Sequence, residues 1–347
     1  MELEKVICDD IRNIAEKIAE KMSHKKVLVT GGTGLLGSMI CRSLINADKE
    51  RNLDVEIIVL VRNKEKASSL FADLNDNGNI TFLEQDITEP ILYDGKVDYI
   101  IHTACPTASN TFVTKPVETI SSITLGTMNV LKFAKESQSE SVVYLSSMEA
   151  YGQITEEILL KPEDVGYVNP LSLRSCYPEG KRVAENLCMG YFSEYNVPVK
   201  VIRLAQTFGP GISNEDKRVF AQFLRSAKSG EDIVMFTEGG AKRMYTDTMD
   251  AVDAILTVLL KGENGQIYNV GNKATYCSIK EMAEMVIRFF GAENAKVVID
   301  RSKDVGQYPP ENKLLLDVDP IENLGWTPKY SLQEIYERMD RAMKKEK

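Results

Sequence analysis

The chain has 347 residues, 43% of them apolar and 27% charged, with a net charge of −9, a composition that suits a large globular domain with a smaller one attached. The acidic balance argues against nucleic acid as the main partner, because phosphate backbones demand a basic face. With no apolar run of membrane-spanning length and no signal-peptide core, no membrane association is expected and a cytoplasmic location is.

Residues 2–22 set Val6, Ile7, Ile11, Ile14 and Ile18 at helical spacing, which predicts an amphipathic helix in an N-terminal extension, 1–25, packed on the domain or on a neighbour. From residue 26 short β-branched runs alternate with helices near 35–46, 116–137 and 178–195: "KKVLVT", "VEIIVLVR", "NITFLEQDI", "VDYIIHTAC", "SVVYLSS" and "VKVIRLAQ". Such alternation means parallel strands joined by right-handed crossovers, so 26–205 reads as an α/β doubly wound parallel sheet of Rossmann type. After residue 205 the rhythm loosens. We read 206–347 as a smaller α+β substrate-binding domain on the sheet's carboxyl edge, with 266–272 returning to the sheet.

The first strand runs into "VLVTGGTGLLGSMI". Gly31, Gly34 and Gly37 allow a tight turn, close approach to a pyrophosphate and close helix packing, and the following helix offers its free N–H groups. Leu35 and Leu36 belong to the same cofactor contact, as do Thr103 and Ala104 after the fourth strand. At the end of the second strand, where an acid would hold a ribose 2′-hydroxyl, the chain reads Arg62, Asn63, Lys64; Arg62 suits a 2′-phosphate, favouring NADP over NAD. Asp86, with Ile87 beside it, closes the third strand and is placed to meet the adenine amino group.

In "VVYLSSMEAYG" the fifth strand ends on Ser146, Ser147, Met148 and Glu149, and in "RSCYPEGKRVAENL" Tyr177 and Lys181 stand four apart, on one face of a helix. A lysine ammonium lowers the pKa of a nearby phenol, so Tyr177 could take a hydroxyl proton as hydride leaves, with Ser147 bonding the same oxygen. Tyr276 and Lys280 repeat the spacing without a serine-bearing strand upstream. Only two histidines, His24 and His102, occur, and the six cysteines are scattered without a CxxC pair. A Ser-His-Asp triad, a metal site and a disulfide framework are therefore not expected.

Across about residues 26–340 these features resemble the extended short-chain dehydrogenase/reductases, the NAD-dependent nucleotide-sugar epimerase/dehydratase family. The resemblance rests on "TGGTGLLG", "SSMEAYG", "CYPEGKRVAE", "RLAQTFGPG", "RMYTDTMDAV", "YNVGN" and "LGWTPKYSLQE". "NPLSLRSCYPEGKRVAENL" is especially similar to the UDP-glucuronate decarboxylase branch. The likeness implies oxidation of a sugar hydroxyl to a ketone by bound NAD(P), chemistry at the neighbouring carbons, and return of the hydride. It assigns Tyr177 as base, Lys181 as its tuning cation, Ser147 as orienting hydroxyl and Glu149 as an acid or base near C5 or C6. Met148 and Gln206 fall in the substrate site, and Arg243, with help from Arg218, meets the diphosphate of a nucleotide-sugar substrate. It also implies a homodimer.

Departures narrow the reaction. Met148 stands where dTDP-glucose 4,6-dehydratases carry an acid, and a methionine cannot protonate a leaving hydroxyl. "GQYPPENKL" lacks the arginine by which decarboxylases recognise a carboxylate, leaving Arg301 or Lys303 as substitutes. Gln206 replaces a common asparagine. An NDP-sugar epimerase is the reading that survives both objections. A keto-sugar reductase using NADPH, an NDP-uronate decarboxylase or NDP-sugar dehydratase, and a non-catalytic nucleotide sensor are the alternatives.

Overall fold

A computed structural model describes residues 2–74, 79–302 and 311–343. In chain order the first part comprises α1 (Glu2–Met22), β1 (Lys26–Thr30), α2 (Leu35–Arg51), β2 (Glu56–Val61), α3 (Lys64–Leu70), β3 (Ile80–Glu84), β4 (Tyr99–His102), α4 (Ser109–Thr114) and α5 (Pro116–Ser137). There follow β5 (Ser141–Ser147), a 3₁₀ turn (Met148–Tyr151), β6 (Leu159–Leu160), a second 3₁₀ turn (Leu173–Ser175), α6 (Cys176–Tyr195) and β7 (Val199–Leu204). The second part adds β8 (Gln206–Phe208), α7 (Val219–Lys228), β9 (Ile233–Met235), β10 (Lys242–Asp247), α8 (Thr248–Lys261) and β11 (Ile267–Val270). It ends with β12 (Asn272–Ser278), α9 (Ile279–Phe290), β13 (Val297–Ile299), β14 (Lys313–Leu316), α10 (Asp319–Glu322) and α11 (Leu332–Met343).

Seven strands form one sheet in the order β11-β7-β5-β4-β1-β2-β3, and every pair in it is parallel. Helices cover both faces, so its inner strands read as continuous apolar runs, and all six residues of β7 are buried. The order reverses between β1 and β4, opening a crevice at their carboxyl ends where such sheets take ligands. Residues 267–270 pair in parallel with β7 at the edge of this sheet. The second sheet runs β12-β10-β14-β6, with β8 also paired to β10. Its strand β6 comes from the segment between β5 and α6, so the chain contributes to the smaller unit before residue 205.

Helix α1 packs on its own chain, against α2, α8 and α11, and buries Ile7, Ile11, Ile14, Ile18 and Met22. A buried ionic lattice fixes it. Arg338 of α11 donates from Nη2 to Asp10 of α1 at 2.6 Å and from Nε to Asp247 at 3.0 Å. The Tyr330 hydroxyl donates to Asp10 at 2.7 Å, and Asp247 also accepts from the backbone of Met249 to cap α8. Burial lifts the Asp247 carboxyl to about 6 despite its arginine partner. One guanidinium thus serves two buried carboxylates, and removing it leaves Asp247 without its cation while Asp10 keeps only Lys329, at 3.5 Å. Arg338→Met is expected to destabilise the fold by about 3–5 kcal/mol in urea unfolding; a loss within error of zero would show that the lattice does not hold α1 to α11.

Candidate active site

The turn after β1 is built so that no side chain but hydrogen fits at two positions. Gly31 has φ +71°, and a Cβ there would stand 2.8 Å from the backbone of Ala104 and from Thr103 Oγ1. A Cβ on Gly37 would stand 2.3 Å from the Gly31 carbonyl oxygen. The ends of β1 and β4 are clasped: Thr103 Oγ1 donates to the Thr30 carbonyl at 2.6 Å and the Ala104 N–H donates to Thr30 Oγ1 at 3.2 Å. His102 braces the clasp from beneath, with Nδ1 2.7 Å from Thr30 Oγ1 and Nε2 3.2 Å from Thr127 Oγ1. Burial, with Lys181 adding, drops its pKa to about 3, so it is a neutral structural bolt. Helix α2 starts at Leu35 and Leu36 with Gly34 as N-cap, without a side-chain cap or an acid in its first turn. Its first N–H groups thus face the crevice without a competing carboxylate, and this cradle fits the pyrophosphate of a dinucleotide.

Along the same edge, Asp86 accepts from the Thr88 N–H at 2.9 Å and the Thr88 hydroxyl at 2.8 Å. These bonds hold its carboxyl below the ordinary range, with Arg62 assisting by charge. The Ile87 carbonyl accepts from Asn129 at 3.0 Å. Arg62 is exposed at the end of β2, whereas Asn63 is occupied as the N-cap of α3, accepting from the Lys66 N–H at 2.7 Å.

The two serines ending β5 have separate tasks. Ser146 Oγ donates to Glu185 Oε1 at 2.5 Å inside the protein. Ser147 ends β5, accepts the Glu149 N–H at 3.2 Å, and its hydroxyl is among the groups that draw the Tyr177 pKa down. Tyr177 occupies the first turn of α6 and stacks on Phe112, with ring centroids 4.3 Å apart and planes inclined by 16°. Several groups besides Lys181 act on this phenol. Burial, then Cys105 and Glu149, push Tyr177 well above the usual tyrosine range, while Ser147 and Arg174 pull the other way. The Lys181 ammonium donates to the Leu145 carbonyl at 2.6 Å and sits 5.7 Å from the Tyr177 ring centroid, anchored to β5 rather than to the phenol oxygen.

Met148 is 4% exposed and belongs to the main apolar core. Glu149 makes a two-pronged ion pair with Arg174, at 2.8 and 3.0 Å, and the Arg174 guanidinium lies 5.8 Å from the Phe112 ring centroid. Sequence reasoning missed Arg174, Phe112 and Cys105. Arg174 stood in plain view three residues before Tyr177, but nothing local marked its partner.

The predicted substrate residues divide. Gln206 lies half-buried on β8, in register with Tyr245 of β10. Arg243, on β10, has a buried Nε without a hydrogen-bond partner among the described residues. Arg218 is neutralised by Asp216, with Nη2 to Oδ2 at 2.6 Å and Nε 3.1 Å from each carboxylate oxygen, and lies over the Phe220 ring. Arg301, a suggested carboxylate ligand, is largely exposed and paired to Glu238 at 2.6 Å; Lys303 and residues 306–310 lie outside the described residues. Tyr276 is on β12 and Lys280 on α9, so that second pair does not share a helical face.

Comparison with known proteins agrees with this geometry. The model of the NAD dependent epimerase/dehydratase family matches residues 27–271. UDP-glucuronic acid decarboxylase 5 of Arabidopsis thaliana is 31% identical over 323 residues, 90% of this chain and 87% of that protein. Among solved structures, an epimerase of Methanothermobacter thermautotrophicus superposes with a TM-score of 0.77 at 23% identity, covering 98% of this chain and 95% of its own. A dTDP-glucose 4,6-dehydratase of Bacillus anthracis in complex with NAD gives 0.72 at 20% identity, covering 91% and 96%.

Proposed function

The chain belongs to the NAD dependent epimerase/dehydratase family, and from that premise we propose that it interconverts nucleotide-sugars through a transient keto-sugar, with epimerisation as its reaction. The observation that carries this reading is that Lys181 ties α6 to the carboxyl end of β5 through the Leu145 carbonyl at 2.6 Å, which brings the buried Tyr177 and Ser147 to one edge of the sheet beside the glycine cradle. Bound on that cradle, NAD(P) would supply the hydride chemistry. The chain's residues do the rest. Ser147 orients the sugar hydroxyl and Tyr177 takes its proton, while Lys181 holds the end of β5 in place through Leu145. Oxidation to the ketone acidifies the adjacent carbon, where Glu149 is the group able to move a proton. Arg243, whose Nε has no protein acceptor, suits the substrate diphosphate, with Gln206 near the sugar. Arg218 keeps a lesser part because Asp216 already holds it.

Decarboxylation is the second reading, favoured by the activity named for the Arabidopsis relative and by the presence of a cation, Arg174, in the site. Release of CO2 from UDP-glucuronate would select it. If epimerisation is right, a UDP-sugar is converted to its epimer with no net consumption of NADPH. Tyr177→Phe should then slow turnover about 100- to 10,000-fold while leaving cofactor affinity nearly unchanged; stoichiometric NADPH oxidation would point to a reductase instead.

Arg62, exposed at the end of β2 and without a hydrogen-bonded partner among the described residues, supports NADP as the cofactor in preference to NAD. Arg62→Ala is expected to weaken NADP+ roughly tenfold in calorimetric titration and NAD+ hardly at all, and equal losses would return the assignment to NAD.

The outer faces of α5 and α6 support a homodimer. Val117, Leu125 and Met128 are exposed along one stripe of α5, with Val183 exposed on the neighbouring α6. Met128→Glu should shift the molecular mass in light scattering from two chains to one, and a wild-type protein that is already monomeric would refute the assembly.

A further inference from the structure

Around Tyr177 the fold gathers more charge than proton transfer itself calls for. The groups facing the phenol are Cys105 from the segment after β4, Tyr144 and Ser147 from β5, Glu149 and Arg174 from the two 3₁₀ turns, and Lys181 from α6. Phe112 of α4 covers the ring. Lys181 is turned to the Leu145 carbonyl. Glu149 and Arg174 remain as the charges nearest the mouth, and each is only part-buried, with side-chain exposures of 29% and 28%.

Their pairing is geometrically definite. Both carboxylate oxygens take a separate guanidinium nitrogen, at 2.8 and 3.0 Å, the fork arrangement that fixes direction as well as distance. Arg174 also lies over Phe112, whose other contact is the Tyr177 ring, so the cation, the apolar ring and the phenol form one stack. The turn carrying Arg174 is itself tied down, because Ser175 Oγ donates to the Asn169 carbonyl at 2.5 Å. A lone carboxylate here would oppose a second negative charge on Tyr177, and a lone guanidinium would favour it. Paired, the guanidinium offsets part of the carboxylate's effect at the phenol while the carboxylate stays beside the reacting groups.

We propose that Arg174 is a positioning residue: it holds Glu149 beside the Ser147–Tyr177 pair and neutralises the carboxylate's charge where the phenol must ionise. This rests on the proposed function for Tyr177 as base, and deepens it by assigning a residue that acts through Glu149.

The test is the pH profile of kcat/KM with UDP-glucose and UDP-glucuronate as probes, together with the ¹³Cζ resonance of Tyr177 in tyrosine-labelled protein saturated with NAD+, assigned by its loss in Tyr177→Phe. In Arg174→Met the rising limb should move up by about one pH unit, since the carboxylate is left unopposed. It should return close to the wild-type position in Arg174→Met/Glu149→Gln, stay near it in Arg174→Lys, and move down in Glu149→Gln. A purely structural role would depress the rate at every pH, and removing Glu149 would not reverse it. An unmoved limb in Arg174→Met, or a double variant displaced as far as the single one, overturns the proposal. If the wild-type protein turns over neither probe, the proposed function fails separately, and the Tyr177 resonance decides: a higher midpoint in Arg174→Met than in wild type upholds the pairing, and identical behaviour overturns it.

Discussion

The buried ion pair between Arg203 of β7 and Glu185 of α6 is the constraint from which the site's geometry follows. Nε and Nη2 of Arg203 donate to the two carboxylate oxygens at 2.9 and 2.7 Å, and Ser146 of β5 adds a third donor to Glu185. Burying two charges costs several kcal/mol per ion unless every remaining donor is satisfied, and here they are. Arg203 Nη1 reaches the Pro162 carbonyl at 2.7 Å, and the guanidinium lies 4.6 Å from the Tyr151 ring centroid. The Tyr151 hydroxyl donates to Asn269 of β11 at 2.8 Å, whose amide in turn donates to the carbonyls of Leu160 and Asp317. One polar network therefore locks β5, α6, β7, β11 and the edge of the second sheet. Ser147 is the next residue after the locked serine, and Tyr177 lies on the locked helix, so their apposition is a consequence of the lock.

The same logic sorts the molecule's cations by use. Arg203 and Arg338 are spent inside, at side-chain exposures of 4% and 6%, the first on Glu185 and the second on both Asp10 and Asp247. Arg182 is spent on backbone, donating to the carbonyls of Ala150, Tyr151 and Gly166 and so holding the segment that crosses the mouth. Arg243 keeps a buried Nε without an acceptor among the described residues, as Arg42 does, but the terminal nitrogens of Arg42 are already held by Glu4, Asp73 and the Leu70 carbonyl. A buried donor left unsatisfied costs free energy that a ligand anion would recover, which is why this arginine, and not the equally basic Arg218, stands out as an anion contact in an acidic protein.

What was legible in the sequence was what is encoded locally. The glycine turn, the parallel sheet and the shared face of Tyr177 and Lys181 each arise from neighbours in the chain, because period, turn chemistry and helix pitch act over a few residues. The second sheet was not legible. Its strands are two to seven residues long, mix parallel with antiparallel partners and draw β6 from the first half of the chain, pairings that only tertiary packing specifies. The sequence also could not say which serine of the "SS" pair faced Glu185, that Asp216 would claim Arg218, or that Asp10 of α1 would find Arg338 more than 300 residues away.

The site has to meet two opposing demands, and its arrangement is the compromise. Hydride chemistry needs water kept out, so Tyr177 is 7% exposed under Phe112; the same burial makes its phenolate costly, and lifts its pKa well above the free value. Placing Lys181 directly on the phenol would relieve this, but in this structure that ammonium is anchored to β5. A bare Glu149 would make it worse. Pairing Glu149 with Arg174 keeps an acid–base group within the site without adding a net charge to it. Met148, buried in the core between Ser147 and Glu149, presents no further carboxyl there. On the proposed function, the site would thus offer one phenol, one hydroxyl and one paired carboxylate, a set suited to moving protons at adjacent carbons and poor in the extra acid that expelling a hydroxyl would require.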